Sequence, residues 1–521
     1  MHMKTVRIFK LKDPGNEFAS ILNDLMRVFC SAKRYAFNRL LEGYKLNDLN
    51  KIIPAIFGLN KRYAEDAVLL ANAVIDSQKE LLPVRLEDIR SKITKTEKKI
   101  ELYKTGKKKP QKCDLKTCLK GLTNRLEKLK TKEKELQKHL ETGTIPKIIF
   151  GGKKNFIARR KGKITNEEWK DLRSQELYSR GDKSKKGNLN IRLVYENQKF
   201  YIEIADPLNM SESGRSPRIK AEAKVPEKFF TEVIDIILPD EGINSQGKPL
   251  ETYKPYTVQI KRKKGEYYVH LIFEEEVHGE ELKWNDKIDS DLIAGIDVNI
   301  DRIAVSILTK HGNFLKSKIF YCYEMEYVSA NKRSNISGEL AKDIVNYLLQ
   351  ENVGTIVLEN IKLSQNHDTN RKFNMLTHTF AKNKMLSTIT RKALRHGFMV
   401  KKVNPAYTSV IGRFKYSKKY GLSTHEAASF VIGRRGLGFT EKIPRELLEY
   451  LQNKVKPYLI SILGSMEETE KKSNNGKKRL KYLMTLIKNI ENFKKQHLWK
   501  IWNVVKKTLE LKSYQLTLRE V

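Results

Sequence analysis

Leu292-Ile293-Ala294-Gly295-Ile296-Asp297-Val298-Asn299-Ile300-Asp301-Arg302-Ile303-Ala304-Val305 decides the reading of the fold. An apolar run is broken by two carboxylates and an amide and resumes at once as a second apolar run. Residues 292–297 and 302–308 therefore read as two strands joined by a tight turn. Asp297 then ends a buried strand. An ionised carboxylate there is costly unless a cation or a hydrogen-bond network compensates it. Such an acid reads first as a metal ligand, and in a basic chain the fitting metal is one that handles phosphodiesters.

Phe314–Phe320 completes a three-stranded meander. A helix over about Glu339–Gln350 leads to a buried strand, Thr355–Ile361. A long helix, about Phe373–His396, precedes a last strand, Met399–Val403. Meander, helix, strand, helix, strand is the order of an RNase H-like α/β sheet. Glu359 ends its apolar strand as Asp297 ends its own. Two-metal phosphodiester hydrolysis needs carboxylates converging from different elements, and Mg²⁺ suits them because it prefers oxygen ligands and keeps some waters. Asp301 is a further candidate ligand; its alternative role is a turn acid paired with Arg302.

Working upstream, residues 4–12 read as one strand. From about Glu17 to Glu141 the pattern is helical, with Phe18, Leu22, Leu25, Met26 and Phe29 at steps of three and four. Leu122, Leu126, Leu129, Leu136 and Leu140 form a stripe expected to pair with the segment near 90–104 across the loop Thr105–Pro110. Beyond Pro146 the chain turns β-rich. Lys147–Gly152 reads as a strand and turn, and hairpins are expected at 190–204 and 256–273. Their alternation suggests a barrel or curled sheet with a Lys-, Arg- and Tyr-rich polar face. Trp284–Asp291 is a polar boundary. Residues 440–521 read as a basic helical extension, with Lys471–Arg479 a lysine-rich loop and Trp499 and Trp502 packing anchors in preference to base-stacking platforms.

The chain has 521 residues, and its 101 Lys and Arg against 62 Asp and Glu give a net charge of +39. Its length implies about two to four domains. The charge implies nucleic acid as partner, because Lys and Arg supply sequence-independent affinity for phosphates. The N-terminal stretch lacks the apolar core of a signal peptide, and no apolar run reaches membrane-spanning length. Cys30, Cys113, Cys118 and Cys322 suit neither a disulfide framework nor a zinc site. A cytoplasmic, nucleoid-associated prokaryotic protein with no membrane partner is expected.

Gly295-Ile296-Asp297-Val298-Asn299, Val357-Leu358-Glu359-Asn360-Ile361 and Val403-Asn404-Pro405-Ala406-Tyr407-Thr408-Ser409 closely resemble the RuvC-type domain of the transposon-associated TnpB nucleases, relatives of the miniature type V CRISPR effectors. The resemblance covers about residues 290–438. It implies a multidomain α+β protein: residues 1–16 the first strand of a wedge β-barrel, 17–145 a helical recognition lobe, 146–287 the rest of that barrel, 288–438 a RuvC-like nuclease domain, and 439–521 a basic helical C-terminal extension. It implies an RNA-guided DNA endonuclease whose partners are a guide RNA and target double-stranded DNA, with pairing reading sequence and protein reading a short adjacent motif. The alternative is a guided DNA-binding protein impaired in cleavage. A monomeric ribonucleoprotein is expected, with a dimer as the alternative.

By the same resemblance, Asp297 matches the first catalytic acid and metal ligand, and Glu359 the second. The chain departs at the third. The family's paired Cys-x-x-Cys knuckles and following Asp are replaced by Gly412–Ala428, so no zinc is expected, and Mg²⁺, or Mn²⁺ in its place, remains the implied cofactor. His425 or Glu426 stands where the third catalytic group belongs, Glu426 as a metal ligand. Ser423-x-x-Glu426 is equally a capping box. Arg434 and Arg435 are expected to grip the scissile strand, or else to place charge at a helix C-terminus. Lys382, Lys384, Arg391, Lys392 and Arg395, opposite the apolar stripe Phe380, Met385, Ile389 and Leu394, are expected to track a nucleic-acid backbone.

Overall fold

The computed structural model describes residues 2–107, 109–110, 113–210, 216–243, 249–360, 382–466, 474–493 and 497–509. They form a mixed α and β protein that divides into two compact units, Met3–Glu275 and a second made of Met1–His2 with Glu276–Val521.

In the first unit a seven-stranded sheet runs in the order Glu176–Ser179, Thr257–Lys263, Glu266–Glu276, His2–Leu11, Arg218–Lys224, Lys199–Ala205 and Ile191–Glu196. Both expected hairpins form. Glu196 pairs with Lys199, and Lys263 with Glu266. Period-2 alternation buries Val258, Ile260, Val269 and Leu271, and sends Lys261 and Lys263 outward. The helix Asn16–Leu41 buries Phe18, Leu22, Leu25, Met26 and Phe29 in the same core. Lys147–Gly152 forms no strand; Ile148 and Phe150 instead pack against this core from an irregular segment.

Two long helices of this unit, Lys61–Lys104 and Leu115–Glu141, make a hairpin. Its apolar seam is Leu82, Leu86, Ile89 and Ile93 against Leu126, Leu129 and Leu136, centred upstream of the expected 90–104 segment. Leu140 is exposed. Ion pairs Arg90–Glu133 at 2.9 Å and Lys130–Glu97 at 2.8 Å flank the seam.

In the second unit a six-stranded sheet has the order Glu280–Leu282, Met399–Val403, Thr355–Glu359, Leu292–Val298, Arg302–Thr309, Phe314–Tyr321. The last three form an antiparallel meander, and the first four are parallel neighbours. The strands Leu292–Val298 and Thr355–Glu359 bury nearly every residue, the signature of strands covered on both faces. Because Glu280–Leu282 joins this sheet, the division between units falls at Glu275–Glu276, ahead of the polar segment 284–291.

The helix Ala330–Gln350, capped by Ser329, precedes the Glu359 strand. The helix Lys382–Arg395 precedes the edgeward Met399–Val403. Met385, Ile389 and Leu394 of the expected stripe are buried; Phe380, with the expected helical start at 373, lies outside the described residues. A third helix, Thr424–Gly436, lies flush on the sheet. A Cβ on Gly295 would collide with the Ser429 carbonyl oxygen and the Gly433 nitrogen, so backbone touches backbone there. Ser306 fastens the same helix, its hydroxyl 2.6 Å from Ser429 Oγ and 2.8 Å from the Glu426 carbonyl oxygen.

The C-terminal helices pack onto this helix and each other through Leu447, Leu451, Leu459, Leu483 and Trp502. The lysine-rich run expected as a loop enters a helix, Asn474–Glu491, because Leu483, Leu486 and Ile490 bury one side of it; residues 471–473 lie outside the described residues. Among the described residues no helix is long and apolar enough to cross a membrane.

Candidate functional site

Strand register places the first two acids together. Ile296 lies opposite Leu358 in a parallel ladder, so Asp297 and Glu359, one residue further in each strand, share the same end of adjacent strands. Both are buried, at 4% and 7% exposure. Burial raises the Glu359 carboxyl above the ordinary glutamate range, the ammonium of Lys382 opposes this, and the negative charge of Asp297 adds to it.

Each acid is held from a different direction. Asn299 turns back from the 299–302 turn and its amide donates to Asp297 Oδ2 at 2.7 Å. Thr408 donates its hydroxyl to Glu359 Oε1 at 3.0 Å, and Lys382 Nζ reaches Glu359 Oε2 at 3.4 Å. His425 arrives from the first turn of the helix on the sheet, with Nδ1 3.1 Å from Asp297 Oδ2 and 2.9 Å from the Asn299 amide nitrogen. That nitrogen can donate to the carboxylate or accept from the amide, and not both at once.

Glu426, one residue on, turns the other way. Its Oε2 accepts from the Ser423 backbone N–H at 3.0 Å and the Ser423 hydroxyl at 2.7 Å, and its Oε1 accepts from the Ser317 hydroxyl at 2.7 Å. Ser423 Oγ accepts the Glu426 N–H in return, completing the capping box. Burial works to raise this carboxyl, but the bonds from Ser423 and Ser317 outweigh it and hold the pKa below the ordinary value. The structure thus brings Asp297, Asn299 and His425 together beside Glu359 and does not bring Glu426 to them. Asp301 pairs with Arg302, whose Nε lies 3.0 Å from Asp301 Oδ2; that bond holds the Asp301 carboxyl below its ordinary value, against burial. Among the described residues no group of three or more His, Cys, Asp or Glu side chains is arranged to hold one metal ion.

The basic residues divide by position. Arg434 is turned into the fold, donating to Glu441 Oε1 and to the Gly312 carbonyl, both at 2.6 Å. Arg435 donates to the carbonyls of Asn404 and Ala406 and lies over the Trp499 ring. Lys384 bonds the Ser334 hydroxyl and Arg391 bonds the Ser387 carbonyl; both side chains are exposed. Lys392 and Arg395 are half-buried, and burial lowers the Lys392 pKa. Lys382 points to Glu359. Asn299 and Thr408 stand inside the quoted motifs with no task assigned to either; the place of Asn299 two residues after Asp297 was an available signal, whereas Thr408 reaches Glu359 only through the fold.

The residues present fit a hard divalent cation. Mg²⁺ is commonly bound by one or two carboxylates, with water and substrate phosphate completing its shell. Asp297 is buried with Asn299 and His425 as hydrogen-bond partners, neither of them a permanent cation, so its charge calls for one.

A curated protein of Saccharolobus solfataricus, "Uncharacterized protein SSO2105", is 25% identical over 276 residues, covering 51% of this chain and 69% of that one. An uncharacterized protein of Aeropyrum pernix is 25% identical over 158 residues, 28% of this chain and 42% of that one, so the match spans less than half of that relative. Among solved structures, a Cas12i–crRNA complex matches with TM-score 0.40 and 9% identity, covering 98% of this chain and 93% of that one. A Cas12f1–sgRNA–target DNA complex matches with TM-score 0.33 and 12% identity, over 83% and 99%. Thermus thermophilus RuvC with a Holliday junction substrate matches with TM-score 0.21 and 14% identity, over 28% and 97%. Likenesses of this strength carry no weight for function. The family model described as the SSO2105 N-terminal domain matches residues 12–278, outside Asp297, Glu359 and His425; it spans more than half of the sequence, and the chain belongs to that family.

Proposed function

We propose that this chain is an RNA-guided DNA endonuclease of the TnpB-like kind, with a RuvC-type site at the end of the six-stranded sheet. The observation that carries the reading is the pairing of buried Asp297 and Glu359 at one end of adjacent parallel strands, with His425 delivered to the first of them. The net charge of +39 supports a nucleic-acid partner, and the hairpins and long helices of the first unit supply surface for a guide and target, in the roles of wedge and recognition lobe.

Asp297 and Glu359 would hold Mg²⁺. When bound, the ion supplies Lewis-acid charge at the phosphate and a more acidic water. The chain's own residues do the rest. Asn299 fixes the Asp297 carboxylate, Thr408 fixes Glu359, and Lys382 balances part of the buried negative charge. His425 holds one ring nitrogen against Asp297, which orients the imidazole and leaves the other nitrogen to carry or accept a proton. In this reading Glu426 caps its helix, and Arg434 and Lys382 serve the fold and the acids rather than a strand.

A second reading is favoured by one observation. Glu426 spends both carboxylate oxygens on serines, so the third carboxylate of a two-metal site is not supplied there. That describes a guided DNA-binding protein with little cleavage. The test is to co-purify the chain with its RNA, sequence that RNA, and offer a matched DNA duplex with Mg²⁺. Specific cutting that disappears in Asp297→Ala supports the nuclease. Tight target binding without cutting supports the second reading. The absence of any discrete RNA overturns both.

A further inference from the structure

A cavity of about 880 Å³ adjoins the residue that follows Glu359 and is not used by the site. Asn360, the residue after Glu359, is on its wall, and its lining includes Trp284, Lys402, Tyr407, Arg435, Phe439 and Trp499. We propose that this cavity receives an unpaired nucleotide of a nucleic-acid strand, with the base stacked on Trp499 at the mouth.

Four observations carry the assignment. First, the two tryptophans of the last helix have different fates. Trp502 is buried at 1% exposure, its indole N–H donating to the Glu441 carbonyl at 2.7 Å, and it anchors the helix. Trp499, one turn earlier, remains 38% exposed and lines the cavity, and Trp284, which also lines it, is 82% exposed. Trp499 thus offers ring surface at the cavity wall that a flat partner can cover.

Second, the ring is braced for stacking. Arg435 places its guanidinium 5.7 Å from the Trp499 centroid, held there by the carbonyls of Asn404 and Ala406. Tyr407 meets the same ring edge-on, with centroids 6.1 Å apart and planes at 90°. Third, Tyr407 adopts φ = 63°, the left-handed region that an aromatic residue rarely visits and that persists only where the surroundings enforce it. Fourth, the charge fits a phosphate chain. Arg435 lines the space with no carboxylate among the described residues bonded to it, Lys402 lines it while ion-paired with Glu281 at 3.0 Å, and the lining acid Glu441 is already taken by Lys415, Tyr416 and Arg434. Aromatic rings interleaved with cations are how sequence-tolerant sites hold single strands.

The cavity is tied to the acids through one short connection. Residues Asn404–Tyr407 form its wall, and Thr408 bonds Glu359. A nucleotide seated on Trp499 therefore braces the segment that positions Glu359. In that respect the inference rests on the nuclease reading; the binding itself does not.

The test uses the full-length protein without divalent metal, so that no strand is cut. Labelled short oligothymidylate, oligouridylate and an abasic oligodeoxynucleotide of equal length are titrated at raised salt, where phosphate contacts weaken and stacking persists. Base-bearing oligomers are expected to bind at least roughly tenfold tighter than the abasic one and to quench indole fluorescence. Trp499→Ala is expected to erase that difference and Trp499→Phe to keep most of it. A preference for the deoxy or the ribo oligomer then says which strand is taken. Equal binding of abasic and base-bearing oligomers to the wild-type chain, or a base-dependent difference that survives in Trp499→Ala, overturns the proposal. If Trp499→Ala melts as unfolded, the wild-type quenching comparison alone decides. Base-dependent binding at Trp499 in a chain with no Asp297-dependent cleavage keeps the pocket and removes the nuclease reading. Cleavage without base-dependent binding does the reverse.

Discussion

Asp297 Oδ2 lies 3.1 Å from Nδ1 of His425, a residue 128 positions further along the chain. The contact joins the end of a central strand to the first turn of the helix laid across it. It makes the imidazole, and not the neighbouring carboxylate of Glu426, the group that completes the arrangement around Asp297.

His425→Ala is therefore expected to lower single-turnover cleavage by about 10²–10⁴-fold, the usual worth of a positioned proton carrier. The melting temperature should move little, because the ring is one-third exposed. Cleavage at the wild-type rate in this variant would exclude His425 from the chemistry.

Glu426→Ala should behave in the opposite way. It removes the reciprocal half of the capping box and the bond from Ser317, so stability is expected to fall by about 1 kcal/mol while cleavage by folded protein persists. A chemical-denaturation curve and a cleavage assay on the same preparation separate the two effects. Normal stability with abolished cleavage would mean that Glu426 serves the metal.

Gly295→Ala tests the seat of the helix. Its Cβ would collide with the backbone at Ser429 and Gly433, which cannot rotate away. A loss of about 1–3 kcal/mol is expected from overpacking, with cleavage reduced because His425 rides on the displaced helix. An unchanged melting curve would show that helix and strand are not in the close contact described.

Glu441 supplies a pH dependence independent of the acids. Burial pushes its carboxyl up, but Lys415, Tyr416 and Arg434 together hold the pKa below the ordinary value of 4.5. A carboxyl depressed by folding stabilises the folded state above its unfolded pKa, and that contribution is lost as pH falls through the folded value. The second unit should therefore lose stability below about pH 4.5. Glu441→Gln should flatten that acid limb and cost about 3–5 kcal/mol at neutral pH, since it strands Arg434 and Lys415 beside a buried neutral group. Thermal melts at several pH values check both effects.

Much of the second unit was readable from periodicity, because the cause is local. Strands such as Leu292–Val298 and Thr355–Glu359 are continuous apolar runs cut off by polar residues, and a run of that kind can be buried only by covering both faces. The hairpins of the first unit were readable for the same reason, through alternation and turn residues at 196–199 and 263–266. Lys147–Gly152 misled because a short apolar run does not distinguish a strand from an irregular segment pinned by Ile148 and Phe150. The run at 474–479 misled because Lys477, Lys478 and Arg479, exposed in succession at the start of a helix, resemble a charged loop until the buried leucines beyond them are counted.

The sequence by itself determined that two acids end two buried strands and that His425 and Glu426 open a helix after them. It could not choose between those neighbours, because consecutive helical residues point about 100° apart and either direction satisfies the local pattern. Only the tertiary structure made the choice. Gly295 and Gly433 let the helix lie directly on the Asp297 strand, and in that orientation His425 faces the carboxylate while Glu426 closes its own cap against Ser423 and Ser317. The same packing turned Arg434 inward to Glu441 and left Trp499 open at a cavity wall, outcomes set by long-range contact that no run of neighbouring residues encodes.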